Sequence, residues 1–321
     1  FMRLSSLTAA ATVAAACTQP AAPAQPGPAA AQPTSAPAAP AAPAAPAASP
    51  ARYTEAPMLA ERVSAGSLPP VEERLPKDPV IVSVWEEIGQ YGGVWHRCAI
   101  GPSDAWTAGR LAYENLIRYT GDGVEIVMNL ATNYVANYDG SEYTFYLREG
   151  MKWSDGEPCG ADDFLFYFQD GLSNTDLSPT FPSDLCDPVN GEPMVLEKVD
   201  DYTIKFRFQS PYGLFIKTLA SYTGTDMFRW PAHYLKQFHP TYADAAELDK
   251  AIQAANFTNW WELFANRRDW QNLDCPTICI WKPTRVPPDV PVVWERNPYY
   301  WKVDPEGNQL PYLDAVEFQI V

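Results

Sequence analysis

Residues 139–158 have the sequence DGSEYTFYLREGMKWSDGEP, which contains the strongest signals for local structure in the chain. Asp139-Gly140 is a strong signal for a tight turn between two strands, the second of which covers residues 143–147. Asp155-Gly156 predicts another tight turn. The residues ADDF at positions 161–164 then begin an apolar helical pattern, and the first of the two aspartates, Asp162, is expected to cap the helix. A hairpin, a turn and a capped helix in this order indicate a domain that mixes strands and helices.

The rest of the chain continues this mixture in both directions. A second hairpin is predicted from alternating apolar residues over 194–199 and 202–208. Helices are expected at residues 58–65, 106–117, 161–169, 214–220, 232–238, 243–254 and 260–266, and extended segments at 80–84, 94–100, 133–138, 290–294 and 315–321. Because strands and helices are interleaved irregularly, the predicted class is α/β, with a mixed sheet and flanking helices.

Composition excludes one class of partner. The chain has 39 acidic residues against 23 lysines and arginines, a net charge of -16, and it has no basic run. Nucleic acid binding needs a basic face for the phosphates, so it is not expected. Eleven Trp, 17 Tyr and 14 Phe provide rings for a core or for a ligand cleft, and composition alone does not separate these two uses.

The N-terminal region has the pattern of an exported protein. Arg3 precedes an uncharged apolar stretch from Leu4 to Ala16, which is too short to span a bilayer. Residues 1–16 are therefore predicted to be a signal peptide, and the small residues before Cys17 resemble a bacterial lipoprotein box in which this Cys is lipidated. Residues 17–57 form a Pro/Ala-rich tract that favours extended backbone and is interpreted as a disordered tether to a membrane. The alternatives are an Ala-rich helix with a buried Cys, and a tail with no role.

No set of residues in the sequence indicates catalysis or a metal site. Glycines at 89, 92 and 93 lack the Lys-Ser/Thr of a phosphate loop, and no Gly-x-Ser-x-Gly elbow is present. The three histidines have no metal-binding spacing: they are His96, His233 and His239. We therefore expect a binding protein rather than an enzyme, with no cofactor and no metal.

The cysteines do not form a zinc or redox motif either. Cys275 and Cys279 are separated by three residues, and no second close pair completes a tetrahedral site. In an exported protein Cys275 and Cys279 would form one local disulfide, and Cys159 and Cys186 another. The sequence does not fix this connectivity.

The opening stretch, residues 139–164, resembles the extracellular solute-binding protein family 5, the dipeptide- and oligopeptide-binding proteins of bacterial ABC importers. Further stretches resemble the family's motifs in the family's order: Leu130-Ala131-Thr132, Val199-Asp200-Asp201-Tyr202-Thr203, Pro231-Ala232-His233-Tyr234-Leu235, Arg296-Asn297-Pro298-Tyr299-Tyr300-Trp301 and Leu310-Pro311-Tyr312-Leu313-Asp314. The resemblance covers about residues 80–321.

The resemblance implies a type II periplasmic-binding fold, in which two lobes close on a ligand. Family members are usually longer, so residues 58–321 are expected to be the first lobe only, with the second lobe missing. The implied function is an extracytoplasmic monomer that captures peptides and delivers them to the permease subunits of an ABC importer. An oligosaccharide-binding member is the alternative within the family, and a lipid-anchored secreted hydrolase is the alternative from another class.

The resemblance also indicates where the first lobe contacts ligand. One segment follows the strand at 94–100 and ends at Trp106. The other follows the helix at 214–220 and contains Ser221, Tyr222 and Thr223. Trp106 and Tyr222 offer aromatic faces for stacking, and Thr223 offers a hydroxyl. The alternative is that both aromatic residues belong to the core.

Overall fold

A computed structural model of the chain describes residues 52–106, 114–221, 224, 226, 227 and 229–321. Three predictions therefore lie outside the described residues. They are the signal peptide with Cys17 and the tether up to residue 51, most of the helix expected at 106–117, and the ligand contacts of Tyr222 and Thr223.

The described part alternates short helices and strands. Its α-helices are α1 (Pro57–Ser64), α2 (Val71–Arg74), α3 (Ala161–Phe166), α4 (Phe215–Ala220), α5 (Ala232–Leu235), α6 (Ala245–Ala254) and α7 (Trp260–Arg268). Its strands are β1 (Val80–Ile81), β2 (Val94–Ala99), β3 (Ile117–Tyr119), β4 (Ile126–Met128), β5 (Ala131–Ala136), β6 (Glu142–Leu147), β7 (Val195–Asp200), β8 (Thr203–Arg207), β9 (Trp281–Arg285), β10 (Val292–Arg296), β11 (Lys302–Val303) and β12 (Ala315–Ile320). Among these helices, none is long and apolar enough to cross a membrane.

An antiparallel sheet with the order β5-β6-β8-β7 carries the larger core. Alternate residues of β6 are buried, and Phe145 lies opposite Ile204 in the register of β6 and β8. Tyr143 and Phe206 form the neighbouring pair. The core-facing rings extend this contact, because Phe215 of α4 lies 5.1 Å from Phe206 between ring centroids. The alternation of apolar residues that predicts these hairpins is therefore also the pattern that builds the core.

A second sheet is mixed and has the order β2-β12-β10-β9. β2 and β12 are parallel, with Val94 beside Ala315, whereas the other neighbours are antiparallel. A separate apolar cluster packs against this sheet, with members from the four strands and from the 3-10 turn after β2: Ala99, Ala105, Trp281, Val292, Trp294, Val316 and Phe318. The predicted class, α/β with a mixed sheet and flanking helices, agrees with this architecture.

Both predicted hairpins are present, but three local predictions differ from the structure. The helix expected up to residue 117 does not reach it, because Ile117 begins β3 and pairs with Met128 of β4. The extended segment at 80–84 is a strand only at its first two residues. Asp163, rather than Asp162, contacts the N-terminus of α3: its Oδ2 accepts the N–H of Gly160 at 3.0 Å, and Asp162 lies exposed beside Lys198.

The domain extends into the region interpreted as the end of the tether. Thr54 forms a bridge with Asn308, Ala56 is fully buried, and the carboxylate of Glu55 pairs with the buried guanidinium of Arg74. α1 begins at Pro57, where a proline fits because the first helical N–H has no partner within the helix. Residues 54–57 therefore belong to the packed structure.

Candidate functional site

The loop after β2 is held in place by its own backbone and by one tryptophan. Residues 102–106 form a 3-10 turn. Just before this turn, the N–H of Ile100 donates to the side chain of Asp104 at 3.3 Å. Ala105 is fully buried, and its carbonyl accepts the indole N–H of Trp294 at 3.2 Å. The loop is thus fixed to the mixed sheet, and its last residue, Trp106, has a defined position.

Trp106 packs against the apolar cluster of the mixed sheet and is partly buried. Trp270 packs against the same cluster, and its ring is stacked on that of Trp294 with centroids 5.4 Å apart and planes 13° apart. Trp106 therefore contacts the core, and it keeps part of its surface accessible to a ligand. The ligand contact of Trp106 stays a prediction.

Arg229 lies over the last residue of this loop. Its guanidinium carbon lies 5.0 Å from the centroid of the Trp106 ring, and one of its nitrogens lies 3.6 Å from Oδ1 of Asp226. Arg268 reaches the same oxygen at 3.2 Å, and its guanidinium carbon lies 4.6 Å from the Trp230 ring centroid. Two cations, two tryptophans and one carboxylate are therefore assembled between the loop after β2 and the chain after α4.

Ser221 has a mainly structural environment. Its hydroxyl donates to the carbonyl of Thr218 at 2.6 Å, and its own carbonyl accepts the side-chain amide of Asn115 at 2.7 Å. The same amide binds the carbonyl of Leu219. Gly224 completes the arrangement, because a Cβ there would lie 2.1 Å from the Leu219 oxygen. The Ser221 hydroxyl hydrogen is thus committed to the end of α4, and only its oxygen remains for a ligand.

Trp106 and Ser221 are the predicted contacts that fall within the described residues, and the ligand contacts of Trp106, Ser221, Tyr222 and Thr223 all stay predictions. Arg229 was absent from the residues that the family motifs indicated. Its only signal in the sequence is a cation beside an aromatic residue, Arg229-Trp230, a few positions after the predicted segment. Its contact with Trp106 depends on tertiary structure and is not visible in that pattern.

The described part contains five free cysteines. Cys98, Cys159, Cys186, Cys275 and Cys279 are free, so neither disulfide considered from the sequence is formed in the structure. The sulfurs have other neighbours: Cys186 lies 3.5 Å from the carbonyl of Pro182, and Cys275 lies 3.8 Å from that of Pro276. Burial raises the pKa of Cys275 to about 12 and that of Cys279 to about 11, so neither forms a reactive thiolate at neutral pH.

His233 forms a pair with a carboxylate. Nε2 of His233 lies 2.8 Å from Oδ2 of Asp155. No group of three or more metal-ligating side chains occurs among the residues that the structure describes. A cavity of about 370 Å³ lies elsewhere, lined by Val82 to Glu87, Asp304, Leu310 and Tyr312, and contains none of the predicted contacts.

The chain is similar to known solute-binding proteins. The model of the bacterial extracellular solute-binding proteins, family 5 Middle, matches residues 125–321. A periplasmic alpha-galactoside-binding protein of Rhizobium meliloti is 32% identical over 292 residues, which are 84% of this chain and 39% of that protein.

Two solved structures are similar over most of the chain. An oligopeptide-binding protein OppA is 41% identical with a TM-score of 0.78, and the match covers 84% of this chain and 41% of that one. The periplasmic binding protein MelB of Agrobacterium fabrum C58, solved in complex with stachyose, is 30% identical with a TM-score of 0.69 over 85% of this chain and 41% of that one. The chain thus spans about two fifths of the length of these relatives.

These matches confirm the predicted fold, a type II periplasmic-binding architecture in the α/β class. The family model covers the motifs from residue 139 onward on which the resemblance was based, and it also covers Ser221 and Arg229. The chain belongs to the bacterial extracellular solute-binding proteins, family 5.

Proposed function

We propose that this protein is the ligand-capturing subunit of an ABC importer and that it delivers peptides to the membrane permease. The observation that carries the proposal is the structural similarity to an oligopeptide-binding protein OppA at 41% identity over 84% of the chain. The contact between Arg229 and Trp106 supports it, because it places a cation beside the aromatic face at which a ligand contact is expected.

Ligand capture in such a protein follows from differential binding. A ligand that contacts both lobes stabilises the closed form relative to the open form, and the permease then distinguishes the two. In this proposal the described residues form one wall of the binding site. Trp106 supplies an aromatic face, Ser221 supplies an oxygen, and Arg229 supplies hydrogen-bond donors. Tyr222 and Thr223 complete the wall.

An oligosaccharide is the second candidate ligand. The Rhizobium meliloti relative is named as an alpha-galactoside-binding protein, and the MelB structure contains stachyose. An aromatic face such as that of Trp106 also suits the apolar side of a sugar ring. This candidate shares the fold, the wall and the importer with the first, and differs in the chemistry of the ligand.

The remaining parts of the proposal concern location and mechanism. Residues 1–16 act as a signal peptide, Cys17 carries a lipid, and the Pro/Ala-rich tract after it tethers a monomeric domain to the outside of the cell membrane. The protein binds without turnover and needs no cofactor. The high pKa of the thiols of Cys275 and Cys279 supports this view, because neither is available as a nucleophile at neutral pH.

Calorimetry of the intact protein, meaning the full-length gene product with both expected lobes, against a panel of peptides and alpha-galactosides tests the proposal. We expect saturable binding of peptides, with binding of stachyose instead if the second candidate is correct. Product formation is followed by chromatography in the same samples. Hydrolysis of a panel member, with no saturable binding, would replace the importer function by that of a secreted hydrolase.

A further inference from the structure

We propose that Arg229 and Arg268 form a carboxylate-binding subsite beside Trp106 that recognises a carboxylate of a peptide ligand. The inference rests on the proposed function and deepens it, because it names the ligand group that this wall of the site selects. Neither arginine belongs to the motifs that identified the family.

Arg229 and Arg268 share one carboxylate. Both guanidinium groups use the same oxygen of Asp226, at 3.6 Å for Arg229 and 3.2 Å for Arg268. The other oxygen lies 3.5 Å from the indole nitrogen of Trp230. Among the residues that the structure describes, one carboxylate therefore pairs with both cations, and the three side chains together carry one excess positive charge.

The surrounding charges increase this excess. Burial raises the pKa of Cys275, whereas the charges of Arg268, Arg229 and Lys282 act in the opposite direction, so three cations lie near this thiol. A ligand anion would complete the neutralisation that Asp226 begins.

Both arginines are accessible to solvent and lie against aromatic rings. The side chains of Arg229 and Arg268 are 31% and 27% exposed, so both reach solvent. Each guanidinium also lies over a tryptophan, Arg229 over Trp106 and Arg268 over Trp230. Contact with a ring holds the plane of a guanidinium but leaves its in-plane N–H groups available, and these match the two oxygens of a carboxylate. The subsite is therefore held in place before a ligand arrives, which lowers the entropic cost of binding.

The chemistry of the subsite favours a peptide over a neutral sugar. Hydroxyl groups accept hydrogen bonds from a guanidinium but do not compensate its charge when the site closes and water leaves. A carboxylate does both. Either a C-terminal carboxylate or an acidic side chain of the peptide can supply the group, and these two sources are separable by experiment.

Calorimetry of the intact protein with alanine peptides of three to five residues tests the inference. The peptides are used as free acids, as C-terminal amides, and as amides in which one Ala is replaced by Asp; stachyose is included as a neutral ligand. We expect amidation to weaken binding by about 10- to 100-fold, the range of a charge-assisted hydrogen bond. Recovery of affinity by the Asp-containing amide would identify a side-chain carboxylate as a source.

The variant Arg229→Gln should bind acids and amides alike, because its amide group no longer compensates charge. Arg207→Gln is the matched control, since Arg207 lies in β8 and pairs there with Glu142 and Glu197. This control should keep the preference for acids. The comparison of acids with amides in the unaltered protein needs no variant, so a folding defect in Arg229→Gln would not affect it.

Two results would overturn the inference and are distinguishable. If the unaltered protein binds acids and amides with equal affinity, the carboxylate subsite is wrong while the importer function stands. If it binds none of the peptides, the peptide function and the subsite fail together, and binding of stachyose in the same panel would then support the oligosaccharide candidate.

Discussion

Glu114 and Lys302 form an ion pair in the core, with Nζ of Lys302 2.8 Å from Oε2 of Glu114. The hydroxyl of Tyr300 donates to the other oxygen at 2.7 Å, and the amide of Asn129 donates to Oε2 at 2.8 Å. Burial lowers the pKa of Lys302, and the charge of Glu114 opposes this effect. Each charge is tolerated here because the other is present.

Replacing Lys302 by Met should therefore destabilise the fold by about 3–5 kcal/mol, because the charge of Glu114 is left buried without a partner. Urea unfolding followed by circular dichroism measures the loss. The double variant Glu114→Gln/Lys302→Met removes both charges and should recover a large part of it. Equal stability of the single and double variants would contradict this account of the pair.

His233 and Asp155 form a partly exposed pair whose contribution depends on pH. Burial opposes the charge of His233, but the hydrogen bond and the charge of Asp155 outweigh it and raise the pKa of His233. A histidine with a raised pKa stabilises the folded state below its unfolded pKa of about 6.5. This stabilisation is lost as the pH rises through the folded-state pKa.

We expect His233→Gln to lower the free energy of unfolding by up to about 1 kcal/mol near pH 5.5 and by less near pH 9. Chemical unfolding at both pH values measures the difference. His96→Gln is the control, because His96 is exposed on β2 at the surface, beside Glu317. A loss for His233→Gln that is the same at both pH values would rule out the charged pair as its cause.

At the scale of elements, one aspartate connects three parts of the chain. Asp163 accepts the N–H of Gly160 at 3.0 Å, the N–H of Ala232 at 2.9 Å and the indole N–H of Trp153 at 3.3 Å. It thus holds together the tight-turn region, the start of α3 and the start of α5. Burial raises the pKa of Asp163, while these three hydrogen bonds oppose the rise.

Asp163→Ala should destabilise the fold by about 2–3 kcal/mol, because buried donors lose their acceptor. Asp162→Ala is the matched control, since Asp162 is exposed and pairs with Lys198 at the surface, and it should cost less than about 1 kcal/mol. Thermal and urea unfolding of the two variants provide the comparison. A larger loss for Asp162→Ala would return the capping role to that residue, as the sequence alone indicated.

The elements that the sequence predicts well are those with local causes. Both hairpins follow from alternation and a turn, so their strands fall within two residues of the expected positions. The mixed sheet could not be predicted in the same way, because Val94 pairs with Ala315 across most of the chain. The site has the same limit: the loop ending at Trp106 follows from family resemblance, but the position of Arg229 over that ring exists only after folding.

At the scale of the whole molecule, the start of the domain has a consequence for truncation. Glu55 neutralises Arg74, whose side chain is fully buried, and Ala56 is packed in the core. The Pro/Ala-rich tract before residue 52 is predicted to be a tether outside the fold. Deletions that end before residue 52 and deletions that end at residue 57 should therefore differ strongly in their effect on the free energy of unfolding.

Removal of residues 1–51 should change the free energy of unfolding by less than about 0.5 kcal/mol. Removal of residues 1–57 should cost about 3–5 kcal/mol, because Arg74 then loses its buried partner. The variant Glu55→Gln in the longer form isolates the part that is due to the ion pair. Equal stability of the two truncated forms would show that residues 52–57 do not contribute to the fold.

The stacked rings of Trp270 and Trp294 also have a spectroscopic consequence. Two indoles that are 5.4 Å apart and nearly parallel absorb light as a coupled pair rather than as separate chromophores. In circular dichroism such coupling gives a pair of bands of opposite sign whose size depends on the angle between the two in-plane transition moments, and Trp270→Phe should abolish it. Because Trp106 packs against the same cluster, a ligand that shifts it would change these bands, giving binding an optical readout that needs no label.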